Sequence, residues 1–231
     1  MRHTCRNWTL LLTGALVALA AAPPTAADVI TIDFMGLNLK FADGDIYDAD
    51  HLVGGNGSTA DATALGSITF YKNYDYVTSL DDDVYADILV QGVPGLPANE
   101  PVATSGGLYV DLLSSSNSTL LRLSIGAMGV FYTTGSYESV AVSGIATGII
   151  AQNLPDGLII NPGDEITIFL MGDSLSGKVF TGELLTGFTS SGTGQIEAIP
   201  EPGSLMILLS LAASALAVCA WRVASMKARC L

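Results

Sequence analysis

The chain has 231 residues, with 9 Lys+Arg against 22 Asp+Glu, a formal charge of −13 and 49% hydrophobic residues. Only 13% of residues are charged, which excludes a solvated disordered chain, and the acidic balance excludes nucleic acid as a partner, because a phosphate backbone needs clustered Lys and Arg. The 25 glycines suit a turn-rich β fold better than a helical one.

At the N-terminus, Arg2, His3 and Arg6 precede an apolar run from Trp8 to Ala22, followed by Pro23, Pro24, Thr25, Ala26 and Ala27. A short basic head, an apolar core and small residues two apart predict a secretory signal peptide over 1–27, removed by signal peptidase after Ala27. A cut after Ala22 is disfavoured by Pro23, and the run is short for a retained membrane span.

Strand patterns fill 28–199. Val29, Ile30, Ile32 and Phe34 lead into a clean alternation of Leu37, Leu39 and Phe41. Further candidates are Ile68–Tyr71, Val84–Val90, Leu108–Leu113, Leu120–Ile125, Val140–Ile145 and Thr147–Ala151. Leu158–Ile160, Glu165–Met171 and Val179–Leu185 follow, and 186–199 reads as a last strand running into a flexible tether. Gly54–Gly57, Pro94-Gly95, Gly106-Gly107, 153–157 and 161–164 carry turn residues between them. No segment shows helical spacing, and no fixed-period repeat appears. About ten short strands at close intervals predict an all-β fold, a single β-sandwich of jelly-roll type. The cysteines are Cys5, Cys219 and Cys230, so no disulfide framework holds 28–199.

The chemistry-bearing residues of this body are few. His51 is its one histidine, with no Gly-x-Ser-x-Gly elbow and no zinc-ligand set beside it, so it reads as a loop residue. Carboxylates are abundant. Asp43, Asp45, Asp48 and Asp50 fall within eight residues, and Asp81, Asp82, Asp83 and Asp87 form a second group. Crowded hard oxygen ligands suit calcium, the one cofactor this sequence suggests, although the spacing is not that of an EF-hand. The alternative is that these aspartates solvate loops and deter edge-to-edge association.

A glycosidase needs two carboxylates across a sugar cleft, and the available glutamates are Glu100, Glu138, Glu165, Glu183 and Glu197. Both tryptophans, Trp8 and Trp221, lie outside the body and supply no sugar platform. Tyr71, Tyr74, Tyr76 and Tyr85 remain for stacking, or for covering a sheet face.

The C-terminus carries the most specific signal. Ile199-Pro200-Glu201-Pro202-Gly203-Ser204 breaks regular structure just before Leu205–Trp221, 17 residues without a charge. A helix over 205–221 is about 25 Å long, enough to span a bilayer at the short limit. Arg222, Lys227 and Arg229 follow it, while Glu197 and Glu201 precede it, which leaves the tail cytoplasmic and the body outside.

Pro200-Glu201-Pro202, one apolar helix and a basic end beginning at Arg222 resemble the PEP-CTERM sorting signal. The resemblance covers 200–231. It implies recognition and processing of the tail by an exosortase, a membrane protease of envelope-bearing bacteria that often make exopolysaccharide. The basic residues are more spread here than in that family. The sequons Asn56-Gly57-Ser58 and Asn117-Ser118-Thr119 are coincidental in a bacterial chain.

The expected organisation is a signal peptide (1–27), an ectodomain (28–199) and a sorting tail (200–231). The expected function is a non-enzymatic structural protein of the cell envelope or extracellular matrix. An extracellular polysaccharide-binding module, calcium dependent or not, is the alternative, and a secreted polysaccharide-degrading enzyme is the third reading.

Overall fold

The computed structural model describes residues 28–48, 59, 62–105, 108–114 and 118–200. The expected signal peptide lies outside them, as do Asp50, His51, Asn56, Asn117 and the tail from Glu201 to Arg222 and beyond. Among the described residues no helix is long and apolar enough to cross a membrane.

Asp28–Pro200 is one compact, all-β unit. Its strands are β1 (Ile30–Ala42), β2 (Asp45–Tyr47), β3 (Thr63–Ala64), β4 (Ser67–Lys72), β5 (Asp75–Leu80), β6 (Val84–Val90), β7 (Pro101–Ala103), β8 (Leu108–Ser114), β9 (Thr119–Thr133), β10 (Ser139–Gln152), β11 (Glu165–Thr181) and β12 (Leu184–Ile199). They form one sheet in the order β12-β11-β10-β9-β8-β6-β2-β1-β4-β5, and β12 also pairs with β1. That last pairing closes the ladder into a ring, with β4 and β5 carried as a hairpin on the free half of β1. A jelly roll sends successive strands to opposite sheets. Here β8 to β12 each pair with the next strand in sequence, an antiparallel meander.

The long first strand shows how sequence sets this geometry. Ile30, Ile32 and Phe34 are buried, and then the phase flips, so that Leu37, Leu39 and Phe41 are buried. Gly36 is the extra residue, at φ 84°, and the ladder to β12 shifts register across it. A Cβ there would stand 2.7 Å from the Gly66 backbone nitrogen, which itself donates to the Met35 carbonyl at 2.8 Å. The bulge therefore needs glycine on both counts. Inward side chains of β1, β4, β6, β8, β9, β10, β11 and β12 meet in one apolar core.

Several expected boundaries move. The two candidates over 140–151 are one strand, β10, bent by bulges. Val179–Leu185 is the tip of the β11–β12 hairpin, where Gly182 turns at φ 66°. The segment 186–199 is strand to Ile199, with no tether inside it. Leu158–Ile160 is not a strand, because Ile160 finds its partners in a side chain. Its N–H donates to Gln152 Oε1 at 3.0 Å, and its carbonyl accepts from Gln152 Nε2 at 2.8 Å.

Candidate functional site

The described aspartates of the expected calcium group serve three separate local tasks. Asp43 and Gly44 are the two central residues of the β1–β2 hairpin, at φ 56° and 85°, the type I′ turn that an Asp-Gly pair favours. The Asp45 carboxylate accepts the Gly92 N–H at 3.0 Å. Asp48 is buried and accepts two backbone N–H groups, Thr63 at 2.7 Å and Ile88 at 3.0 Å, so that it ties β3 and β6 to the end of β2. Among the described residues, no group of three or more His, Cys, Asp or Glu stands close enough to hold a metal ion. In the second acidic group, Asp81 accepts from Ser79 Oγ at 2.7 Å, whereas Asp87 is a buried strand residue.

Asp87, Asp111 and Arg122 lie in register across β6, β8 and β9. They occupy the face opposite Val110, Leu112, Leu121 and Leu123, which point into the core. Arg122 Nε is 2.9 and 2.8 Å from the two Asp111 oxygens, and the second guanidinium nitrogen adds a 2.8 Å contact. Burial pushes the Asp111 carboxyl above its ordinary range, and the Arg122 charge opposes that rise. Both aspartates are 0% exposed, so this row is built into the wall rather than presented to a ligand.

The tyrosines pair with the fold. Tyr71 and Tyr76 face each other across the β4–β5 hairpin, edge to face at 6.3 Å. Tyr74 Oη donates to Glu197 Oε1 at 3.3 Å. At the same end Asn73 exchanges hydrogen bonds with the Val29 backbone, and Lys72 pairs with Asp28 at 2.7 Å, which holds the Asp28 carboxyl below its usual range.

The concave feature of the surface comes from two bulges in β11. Along the β12 ladder, Asp173 faces Ser191, Ser176 faces Thr189 and Val179 faces Gly187, so β11 twice spends three residues where β12 spends two. Ser174 and Gly177, both at positive φ, sit in those insertions. Such bulges bend and overtwist a strand. Beyond Ser176 the arm of β11 is exposed on both faces.

Between the arm and the β1–β2 turn lies a groove of about 500 Å³, lined by Lys40, Phe41, Asp43, Val179, Phe188 and Thr189 among others. An adjoining hollow of about 420 Å³ shares Lys40 and Thr189 and adds Asn38, Ser174, Ser176 and Ser191. Leu39, Ser190 and Asp48 complete its lining, the Asp48 carboxylate being taken up by the Thr63 and Ile88 N–H groups.

Lys40 is distinctive. Lys72 is paired with Asp28, Arg122 with Asp111, and Lys178 with Glu138 just before β10. The Lys40 ammonium has no carboxylate partner among the described residues, and lies 5.6 Å from the centre of the Tyr47 ring. Sequence reasoning missed this groove, because its hydroxyls come from ordinary strand positions on β11 and β12. The readable signal was that 28–199 holds only four cations, Lys40, Lys72, Arg122 and Lys178. Of the expected sorting residues only Pro200 is described, immediately after β12; Glu201, Pro202 and Arg222 lie outside. The chain matches no family model, no curated protein and no solved structure.

Proposed function

We propose that this is an exported bacterial protein whose tail is processed by an exosortase-type membrane protease, and whose body has a non-enzymatic, structural role in the cell envelope or matrix. The observation that carries the reading is the order Pro200-Glu201-Pro202, an uncharged run over 205–221, then Arg222, Lys227 and Arg229. The end of β12 at Ile199 supports it, since the motif begins where the last ladder pairing stops. The ectodomain in this reading is one sandwich-like β body around a single core. Replacing Pro200, Glu201 and Pro202 by Ala should leave a full-length, membrane-retained chain, read by fractionation and immunoblot. Processing and release equal to wild type would remove the sorting reading.

A second reading, binding of extracellular polysaccharide, is favoured by the hydroxyl-lined groove beside Lys40. Calcium remains a proposed aid to it through Asp43, Asp45, Asp48 and Asp50. Release of reducing ends from purified exopolysaccharide would instead favour a polysaccharide-degrading enzyme.

A further inference from the structure

We propose that the groove beside Lys40 binds an acidic saccharide, Lys40 meeting a sugar carboxylate while Asn38, Ser176, Thr189 and Ser191 exchange hydrogen bonds with neighbouring sugar hydroxyls. This rests on the polysaccharide-binding reading of the groove and names the ligand class.

The charge distribution argues first. Residues 28–199 hold 21 of the 22 acidic residues and 4 of the 9 basic ones, a net of −17. In so acidic a body a lysine has carboxylates in every direction, and the other three cations take one. Lys40 instead stands exposed in a groove with its ammonium unpaired among the described residues. A single flexible ammonium matches a monoanionic carboxylate. A phosphate group calls for denser donors, such as an arginine fork or a helix N-terminus, and the groove offers neither.

The lining argues second. Serine and threonine hydroxyls both donate and accept, as sugar hydroxyls do, and an asparagine amide supplies both roles at fixed geometry. Ser176, Thr189 and Ser191 project from adjacent strands, the Ser176 and Thr189 hydroxyls 2.7 Å apart in a mutual hydrogen bond, giving a row whose remaining lone pairs and the Ser191 hydroxyl face the groove. The groove is open at the surface, as entry of a polymer from the side requires.

A backbone feature lies at the same place. Ser174 is held at φ 55°, an uncommon conformation for a residue with a Cβ. Backbone strain of this kind persists where the surroundings over-determine it, and it collects at ligand sites.

The test uses the full-length chain in detergent micelles, at physiological salt where fields beyond about 8 Å are screened, and with EDTA to prevent metal bridging. Calorimetric titration compares an oligogalacturonate with a malto-oligosaccharide of equal length. The acidic oligomer should bind at least tenfold more tightly. Lys40→Met should remove that preference and Lys40→Arg should keep it, with melting temperatures unchanged in both, and Thr189→Val should weaken both sugars severalfold. Equal affinity for the two sugars, indifferent to Lys40→Met, would overturn the acidic ligand and leave polysaccharide binding standing. Binding of neither sugar would overturn both.

Discussion

Arg122→Met should destabilise the protein by about 3–5 kcal/mol at neutral pH, because it strands a fully buried carboxylate without its counter-ion. For a body of this size each kcal/mol shifts melting by about 2–4 °C, so the midpoint should fall by roughly 10 °C. The deficit should depend on pH with a definite sign. Burial raises the folded-state value of Asp111, and Arg122 holds that rise in check. A carboxyl with a raised folded value binds its proton more tightly in the native state. Its contribution to stability is fully present below the unfolded value and is lost as pH climbs through the folded one. Removing the guanidinium raises the folded value further. The gap between variant and wild type should therefore be widest at pH 7 and narrow towards pH 4, measured as urea midpoints. A gap of equal size at both values would mean that Asp111 does not ionise in the folded protein. Asp111→Asn in the same chain should recover much of the loss, since a buried ion pair costs least when both charges go together.

Phe34→Ala should cost about as much through a different mechanism. Phe34 is 1% exposed and lies across the β1–β12 seam over its register partner, Gly194. A Cβ at 194 would stand 2.0 Å from Phe34 Cζ, so the ring occupies the space the glycine leaves open. Truncating a buried Phe to Ala typically costs about 3–5 kcal/mol, from lost burial and the cavity left behind. Gly194→Ala alone should cost about 1–3 kcal/mol by overpacking. Combined, the two should cost less than their sum, because the first change makes the room that the second needs. Strict additivity in thermal denaturation would show that the ring and position 194 do not compete for one volume.

Much of the fold was legible because β-strands write their burial into a period of two. Val84–Val90 appears in the structure with the boundaries read from the sequence, and Ser67–Lys72 differs by one residue at each end. What was misread has specific physical causes. Asp43-Gly44 was read from its charge alone, and the hairpin turn that its positive φ angles make went unremarked. Val179 and Leu185 looked like one strand because an apolar pattern does not record the Gly182 reversal between them. Ring closure was invisible, since nothing local tells β12 that its second neighbour lies nearly 170 residues earlier, as in the pairing of Ile30 with Ala198. The groove was equally hidden. It depends on two inserted residues in β11, and an insertion is apparent only once the opposite strand is known.

The place of β12 gives the protein a mechanical direction. It is hydrogen-bonded along both edges, from Ile30↔Ala198 to Phe41↔Phe188 on one side and from Glu165↔Ile199 to Thr181↔Leu184 on the other. A tail continuing from Pro200 pulls this strand along its own axis. Against a load on the opposite end of its partner strand, such as the Asp43-Gly44 turn after β1, the tension falls on the whole β1–β12 ladder at once, in shear. Tension between Asp28 and Pro200 acts on two neighbouring ends of antiparallel strands and opens their bonds one after another. The body should thus resist extraction by its tail far better than it resists being peeled apart from its own termini. Single-molecule pulling from position 43 to the tail should rupture at several times the force needed from the N-terminus to the tail, and similar forces along both axes would contradict that anisotropy.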